Sequence, residues 1–310
     1  MKTVLLTGAA GFIGRHCLAP LLGRGYEVHA VSSRPMPADA ASPVRWHQTD
    51  LLHPEQVRRL FANVRPTHLL HLAWYTTPGK YWTSHRNLDW VRASVTLMQG
   101  FGDHGGQRAV MAGSCAEYDW KFGFCSEQFT PCAPASLYGA SKHATRILLD
   151  AWSGANGISS AWGRLFFLYG PHEPEGKLVT SVAAELLRDK PAHCTAGNQV
   201  RDYLHVTDAA AAFAALLDAD VAGPVNIASG MPVTVKTLAE KIAGKLGKPG
   251  LLEIGTLPDR AGEPDALYAD VGRLRQEVGF RPLFNLDSGI EQTISWVRAA
   301  MFSQQDQHEP

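Results

Sequence analysis

The stretch TVLLTGAAGFIG, Thr3 to Gly14, decides how the first half of this chain folds. Its opening residues, TVLLT, form a short apolar run with the composition of a strand buried on both faces. Gly8, Gly11 and Gly14 follow at once, and a helical pattern runs on over residues 12–23. Glycine permits a tight turn and lets backbone N–H groups approach an anion closely, while the helix behind it presents its positive end to the same anion. The spacing is GxxGxxG. Placed between a strand and a helix, it describes a cradle for the pyrophosphate of a dinucleotide, with Gly8, Gly11, Phe12, Ile13 and Gly14 as the expected contacts.

The rhythm continues outward from that unit. Glu27–Ser32, Arg45–Thr49, Thr67–Trp74, Arg108–Ser114 and Ser159–Leu168 read as further strands, with helices near 54–64, 87–102 and 136–155 between them. Alternation of this kind predicts an α/β fold, a Rossmann-type doubly wound parallel sheet covered by helices on both faces. Gly170-Pro171 breaks the pattern. We therefore expect a dinucleotide-binding domain over 1–168 and a smaller C-terminal substrate-binding lobe over 169–310, some of whose segments return to the sheet. Helices are expected near 177–189, 207–217, 234–246, 270–278 and 286–302, with a strand at Gly223–Ala228.

Composition narrows the function classes. The 29 basic and 29 acidic residues are dispersed, so nothing suggests a nucleic-acid track or a polybasic membrane patch. No run of about 18 apolar residues predicts a membrane span. The five cysteines form no CxxC pair and leave one odd, a pattern of reduced thiols and a cytoplasmic setting. No Cys, His and Asp cluster has metal-ligand spacing, and no metal is expected.

The second strand bears on the cofactor. An acidic residue at its end would hydrogen-bond the 2′-hydroxyl of NAD and repel the 2′-phosphate of NADP. Here the strand ends in Ser32-Ser33-Arg34, so Ser33 and Arg34 favour NADP over NAD, with Arg15 expected near the same phosphate. Asp50 and Leu51, after the third strand, are expected beside the adenine; the other reading of Asp50 is a cap for the helix that follows.

In SLYGASKHA, Tyr138 and Lys142 stand four residues apart, on one face of a helix. A phenol ordinarily titrates near 10, and a neighbouring ammonium stabilises its anion, so the pair can exchange a proton with a substrate oxygen. Ser114, at the end of the fifth strand, can donate a hydrogen bond to that oxygen.

This order of motifs resembles the extended short-chain dehydrogenase/reductases, specifically the NAD-dependent epimerase/dehydratase family acting on nucleotide sugars. The likeness covers nearly the whole chain: TGAAGFIG, HLAW at 71–74, SLYGASK, GRLFFLYGP at 163–171 and RDYLHVTD at 201–208 are each similar to a family segment. The resemblance implies that Leu72, Ala73 and Asn87 border the cofactor together with Tyr138 and Lys142. It further implies that Arg201 and Arg260 hold the diphosphate of a nucleotide-diphosphate sugar, and that the protein is a homodimer.

Departures from the family pattern select among its reactions. The family's 4,6-dehydratases follow the catalytic Thr with Asp and Glu; here Cys115 and Ala116 follow Ser114, which disfavours dehydration. The epimerase/reductases that make GDP-fucose carry a Cys two residues before the tyrosine of this block, where Ala116 stands before Tyr118. A 4-epimerase and a ketoreductase remain. An epimerase regenerates its cofactor, whereas a net reductase consumes reduced cofactor, so Ser33-Arg34 tilts the reading to NADPH-dependent reduction of a 4-keto-6-deoxy sugar. Phe167 replaces a family Asn. Tyr75, Tyr81 and Trp82 lie in an unusually aromatic segment and can stack on a sugar ring, Tyr75 being singled out with Ser114 for substrate contact. Their other reading is loop packing. Glu117 beside Tyr118 has no explanation in the sequence.

Overall fold

The computed structural model describes residues 2–35, 43–259 and 262–305. The first half reads β1 Thr3–Thr7, α1 Gly14–Gly23, β2 Glu27–Ser32, β3 Arg45–Gln48, α2 Pro54–Val64, β4 His68–His71, α3 Arg86–Asp103, β5 Arg108–Ser114, β6 Phe124–Cys125, α4 Leu137–Asn156 and β7 Ser159–Leu165. The second half continues with β8 Phe167–Tyr169, α5 Leu178–Leu187, β9 Ala192–Cys194, β10 Val200–His205, α6 Val206–Asp218, β11 Gly223–Ile227 and β12 Pro232–Thr234. It ends with α7 Val235–Lys245, β13 Leu252–Ile254, β14 Ala266–Ala269, α8 Gly272–Gln276 and α9 Leu286–Gln305.

Among the described residues the main sheet has seven parallel strands in the order β11-β7-β5-β4-β1-β2-β3. The order reverses between β1 and β4, which opens a crevice beyond their carboxyl ends. α1 and α6 cover one face, burying Cys17, Leu21, Ala209, Ala210 and Phe213. Phe61, Leu97, Phe101 and Leu149 from α2, α3 and α4 cover the other. Burial on both faces is why the central strands β1 and β4 are near-continuous buried runs rather than alternating ones, whereas β3, at the sheet edge, is exposed or half-buried throughout.

α6 and β11 fall after residue 169 yet lie in these layers, β11 pairing with β7 from Gly223–Ala161 to Ile227–Leu165. A separate core gathers Tyr169 of β8 with Val179, Val182, Leu238, Ile242 and Ile290 from α5, α7 and α9. A five-stranded sheet, β12-β10-β14-β6 with β8 paired to β10, joins the two parts. The run expected as one strand over Ser159–Leu168 is thereby split: β7 stays in the main sheet, and β8 leaves it to pair with β10. The strand expected over 67–74 likewise stops at His71. No helix among the described residues is long and apolar enough to cross a membrane.

Candidate active site

The glycine loop turns at the carboxyl end of β1. Gly8 has φ of +70°, and a Cβ there would lie 2.9 Å from the Ala73 backbone nitrogen. A Cβ at Gly14 would meet the Gly8 carbonyl oxygen at 2.1 Å. The loop is thus pressed both on itself and against Leu72-Ala73, whose N–H groups donate to Thr7 Oγ1 at 3.2 and 3.3 Å. Phe12 and Ile13 are half-buried as the loop enters α1. A backbone cradle that excludes side chains fits the pyrophosphate of a dinucleotide.

β2 borders this loop, since Ala9 N–H donates to the Val31 carbonyl at 3.2 Å. Ser33 and Arg34 follow and are exposed, and Arg34 N–H donates to Ser32 Oγ at 3.0 Å. Arg15 turns the other way. Its guanidinium donates to the Gly11 and Ala10 carbonyls and meets His172 Nδ1 at 2.6 Å, tying the loop to the second half of the chain. Asp50 Oδ1 accepts from Leu52 N–H at 3.0 Å, so the carboxylate shapes the turn ahead of α2, and Leu51 is buried.

Ser114, Tyr138 and Lys142 converge at the ends of β5 and α4, all three buried. Ser136 Oγ caps α4 by accepting from Gly139 N–H at 3.1 Å, which starts the helix one turn before Lys142 and places Tyr138 in its first turn. Burial raises the Tyr138 phenol, and a hydrogen bond with Ser114 partly opposes it. The Lys142 ammonium donates to the Ala112 carbonyl at 2.8 Å and lies 3.7 Å from the centre of the Trp74 ring. Burial pushes it down to about 7, while the Glu117 carboxylate pulls it back up.

Asn87 is fully buried. Its amide accepts from Trp74 Nε1 at 2.9 Å and donates to the Tyr81 and Ser84 carbonyls at 2.7 and 2.9 Å. It therefore organises the 74–84 segment, and that segment brings aromatic rings to Tyr138. Tyr81 and Trp82 meet the Tyr138 ring edge to face at 4.8 and 5.7 Å, and the Trp82 carbonyl accepts from Tyr138 N–H at 3.0 Å. Trp120, which the sequence did not single out, adds a third ring 5.8 Å from Trp82. Tyr75 stands apart, stacked under Arg86 at 5.0 Å.

Arg201 is buried, donates to the Val200 carbonyl at 3.0 Å and faces Glu263 at 3.5 Å. Phe167 lies against that guanidinium at 5.3 Å and against Tyr203 at 5.7 Å, so its ring fills the place of a polar group. Arg260 lies outside the described residues. Cys115 is buried in the core, where desolvation holds its thiol far above the usual range; it is no acid at neutral pH. His205 caps α6 by accepting from Thr207 N–H.

Glu117 is a residue sequence reasoning missed. It is fully buried and accepts from Ser114 N–H and Trp162 Nε1 at 2.8 Å and from Arg164 Nε at 3.0 Å. The Ser-x-x-Glu spacing of a capping box could have tied it to Ser114, but Trp162 and Arg164 stand on β7, 45 and 47 positions along the chain, where no spacing rule reaches.

A backbone anion cradle facing a buried Ser, Tyr and Lys across one sheet edge defines a nicotinamide-dinucleotide oxidoreductase. The chain belongs to the NAD dependent epimerase/dehydratase family, whose model matches residues 4–228. It is an enzyme of the extended short-chain dehydrogenase/reductase type, a family that acts on nucleotide sugars. Over 309 residues it is 25% identical to UDP-glucuronic acid decarboxylase 1 of Xenopus tropicalis, covering 96% of this chain and 72% of that protein. It is 27% identical to dTDP-glucose 4,6-dehydratase of Neisseria gonorrhoeae, covering 95% of each. Among solved structures, UDP-glucose 4-epimerase of Thermus thermophilus, in complex with NAD, superposes with a TM-score of 0.85 at 27% identity, covering 97% of this chain and 100% of that one. Decarboxylation, dehydration and epimerisation thus all occur at comparable distance from this sequence.

Proposed function

We propose that this enzyme reduces a nucleotide-linked 4-keto-6-deoxy sugar with NADPH. The observation that carries the reading is the border between β2 and the glycine loop, where Ser33 and the exposed Arg34 follow Val31-Ser32 in place of a carboxylate that would repel a 2′-phosphate. Gly8, Gly11, Phe12, Ile13 and Gly14 would hold the pyrophosphate, Asp50 and Leu51 would border the adenine, and Leu72, Ala73 and Asn87 the nicotinamide half. When bound, the nicotinamide supplies or takes up a hydride.

Every other step falls to side chains. Tyr138, held neutral by burial, is in the form that donates a proton to a nascent alkoxide. Ser114 orients the same oxygen, and Lys142 stabilises the phenolate left behind and anchors the ribose. Arg201, with Arg260, would hold the diphosphate by charge-assisted hydrogen bonds. The rings of Tyr81 and Trp82 against Tyr138, with Trp120 behind Trp82, suit a sugar with an apolar face, such as the methyl of a 6-deoxy sugar. Tyr75 lies on the same loop, one step from Trp74.

Elimination of water finds no acid pair here: Cys115 is a buried thiol, Ala116 has no proton to give, and Glu117 is locked to Arg164. Epimerisation with bound NAD is the second reading, favoured by the likeness to the Thermus thermophilus epimerase. A cytoplasmic homodimer completes the proposal. Exposed Leu88 on α3 and Ile147 and Leu148 on α4 support self-association, which light scattering would measure.

The test is NADPH absorbance with a panel of dTDP-, GDP-, CDP- and UDP-linked 4-keto-6-deoxy sugars. Stoichiometric loss of NADPH on one of them is expected and names the nucleotide. Sugar interconversion without net NADPH loss would replace reduction by epimerisation.

A further inference from the structure

The last turn of β5 is held between two opposite buried charges. The Ala112 carbonyl accepts from the Lys142 ammonium at 2.8 Å, and two residues on, Ser114 N–H donates to the Glu117 carboxylate at 2.8 Å. Ser114 Oγ accepts from Ala116 N–H at 3.2 Å, closing a reciprocal cap around the single 3-10 turn Cys115–Glu117. The backbone has been fitted around this contact. A Cβ at Gly113 would lie 2.0 Å from Trp162 Nε1 and 2.6 Å from Glu117 Oε1.

The fold itself does not need a charge at this point. A fully buried ion pair such as Glu117–Arg164 adds little net stability over an apolar pair of the same volume, because desolvation offsets the attraction. The pair does deliver a carboxylate with fixed geometry to the end of β5.

We propose that Glu117 is a positioning residue for the hydride-transfer site, holding Ser114 through its backbone and setting a carboxylate beside the Lys142 ammonium. The proposal rests on the reading of Ser114, Tyr138 and Lys142 given above. Among the described residues, the groups facing Lys142 leave this role to Glu117. β4 contributes His71, which burial pushes down to about 3 and so keeps neutral. The strand and loop partners are the Ala112 carbonyl and the Trp74 and Trp162 rings, and α4 itself contributes Tyr138, kept neutral by burial. Glu117 is tied to the same place through Trp162, whose Nε1 donates to its carboxylate at 2.8 Å and whose ring centre lies 6.0 Å from the Lys142 ammonium. Arg164 balances it from the far side, with its guanidinium 4.4 Å over the Tyr118 ring.

The experiment is an NMR titration of protein labelled with ¹³C at the lysine ε-carbons, with Lys142 assigned by its loss in Lys142→Arg. It needs neither substrate nor cofactor, so it stands apart from the success of the NADPH assay. Glu117→Gln keeps the hydrogen-bond acceptor and removes the charge. Glu117→Gln combined with Arg164→Met removes both charges and is measured as well, in case the first variant leaves Arg164 unpaired and unfolds. The expected result in Glu117→Gln is a Lys142 midpoint lower by roughly one pH unit, the size of shift a nearby charge imposes, and in the double variant, where a cation leaves with the anion, a smaller fall in the same direction. A cycle on kcat adds the second half, run well below the Lys142 midpoint so that the ammonium is charged in every variant: Glu117→Leu with Arg164→Met removes the acceptor of Ser114 N–H, and with Ser114→Ala already present it should cost less than about twofold, on the order of measurement error for additivity. An unmoved Lys142 midpoint in a folded variant, or a full additional loss of kcat in the Ser114→Ala background, would overturn the proposal and leave Glu117 a purely structural residue.

Discussion

The two halves of the crevice are built by opposite means. On the β1–β2 side the site is backbone: three glycines, a helix end, and no room for a Cβ at Gly14. On the β5–β7 side it is side chain: Lys142, Glu117 and Arg164 are charged and buried, each held by partners from other elements. A backbone site depends on sterics at a few consecutive positions, whereas a side-chain site depends on charge balance among distant ones. The contrast predicts that substitutions will fail differently on the two sides.

The largest effect is expected on the side-chain half. Tyr138→Phe should lower kcat roughly 10²- to 10⁴-fold, the usual range for removing a proton donor, while dinucleotide affinity stays as it was. Isothermal titration beside a turnover assay separates the two. If affinity falls with kcat, the division of labour between the halves is broken.

On the backbone half, Gly14→Val should act on binding and stability together. The added carbons would collide with the Gly8 carbonyl and with Ala9, whose Cα would lie 2.8 Å from a Cβ at Gly14. Overpacking at a fixed backbone costs roughly 3 kcal/mol. Denaturant melts should show that loss, and dinucleotide binding should fall with it. A stable variant with unchanged affinity would show that the loop relaxes and is no rigid cradle.

The same contrast explains what the sequence disclosed. TGAAGFIG could be read because its strand, turn and helix are contiguous, and Ser114, Tyr138 and Lys142 because a strand end and a helical spacing announce them. Apolar runs placed the central strands of the main sheet for the same reason, whereas the place of β11 beside β7 had no such signal. Glu117 was opaque because its meaning lies in Trp162 and Arg164, far along the chain. Trp120 reaches Tyr138 only through Trp82, a tertiary contact with no period. The short strands β6, β9 and β12–β14, of two to four residues, pair with distant partners, and even where β9 and β14 alternate in burial they are too short for a period to announce them. The break at Phe166 is likewise set by the competition of β5 and β10 for consecutive residues.

A smaller effect tests the tension stored on the side-chain half. Lys142 titrates near 7 when folded and at 10.5 as a free lysine. Between those values the unfolded chain binds the extra proton, so stability rises with pH; below about 7 both states are charged and the full cost of burying the ammonium is present. Lys142→Met should therefore be more stable than the parent at about pH 6, and its advantage should shrink by roughly 2 kcal/mol by about pH 9. Urea midpoints at the two pH values measure it. A constant advantage would mean that partners in the folded state fully compensate the ammonium and that it is not under strain.

The smallest expected effect sits where the backbone half meets the cofactor question. Arg34 is exposed, and on the proposed reading its guanidinium would distinguish a 2′-phosphate from a 2′-hydroxyl. Arg34→Asp replaces a donor by an acceptor that favours the hydroxyl and repels the phosphate. The ratio of NADPH to NADH affinity should fall by about tenfold, the low end for a charge-assisted contact made in water. Because the glycine cradle is untouched, NADH affinity should hold or rise. A fall in both would place Arg34 in the folding of the loop instead. An unchanged ratio would make it a solvated cation, and net reduction would then have to be supported by the aromatic rings around Tyr138 and by the sugar they select.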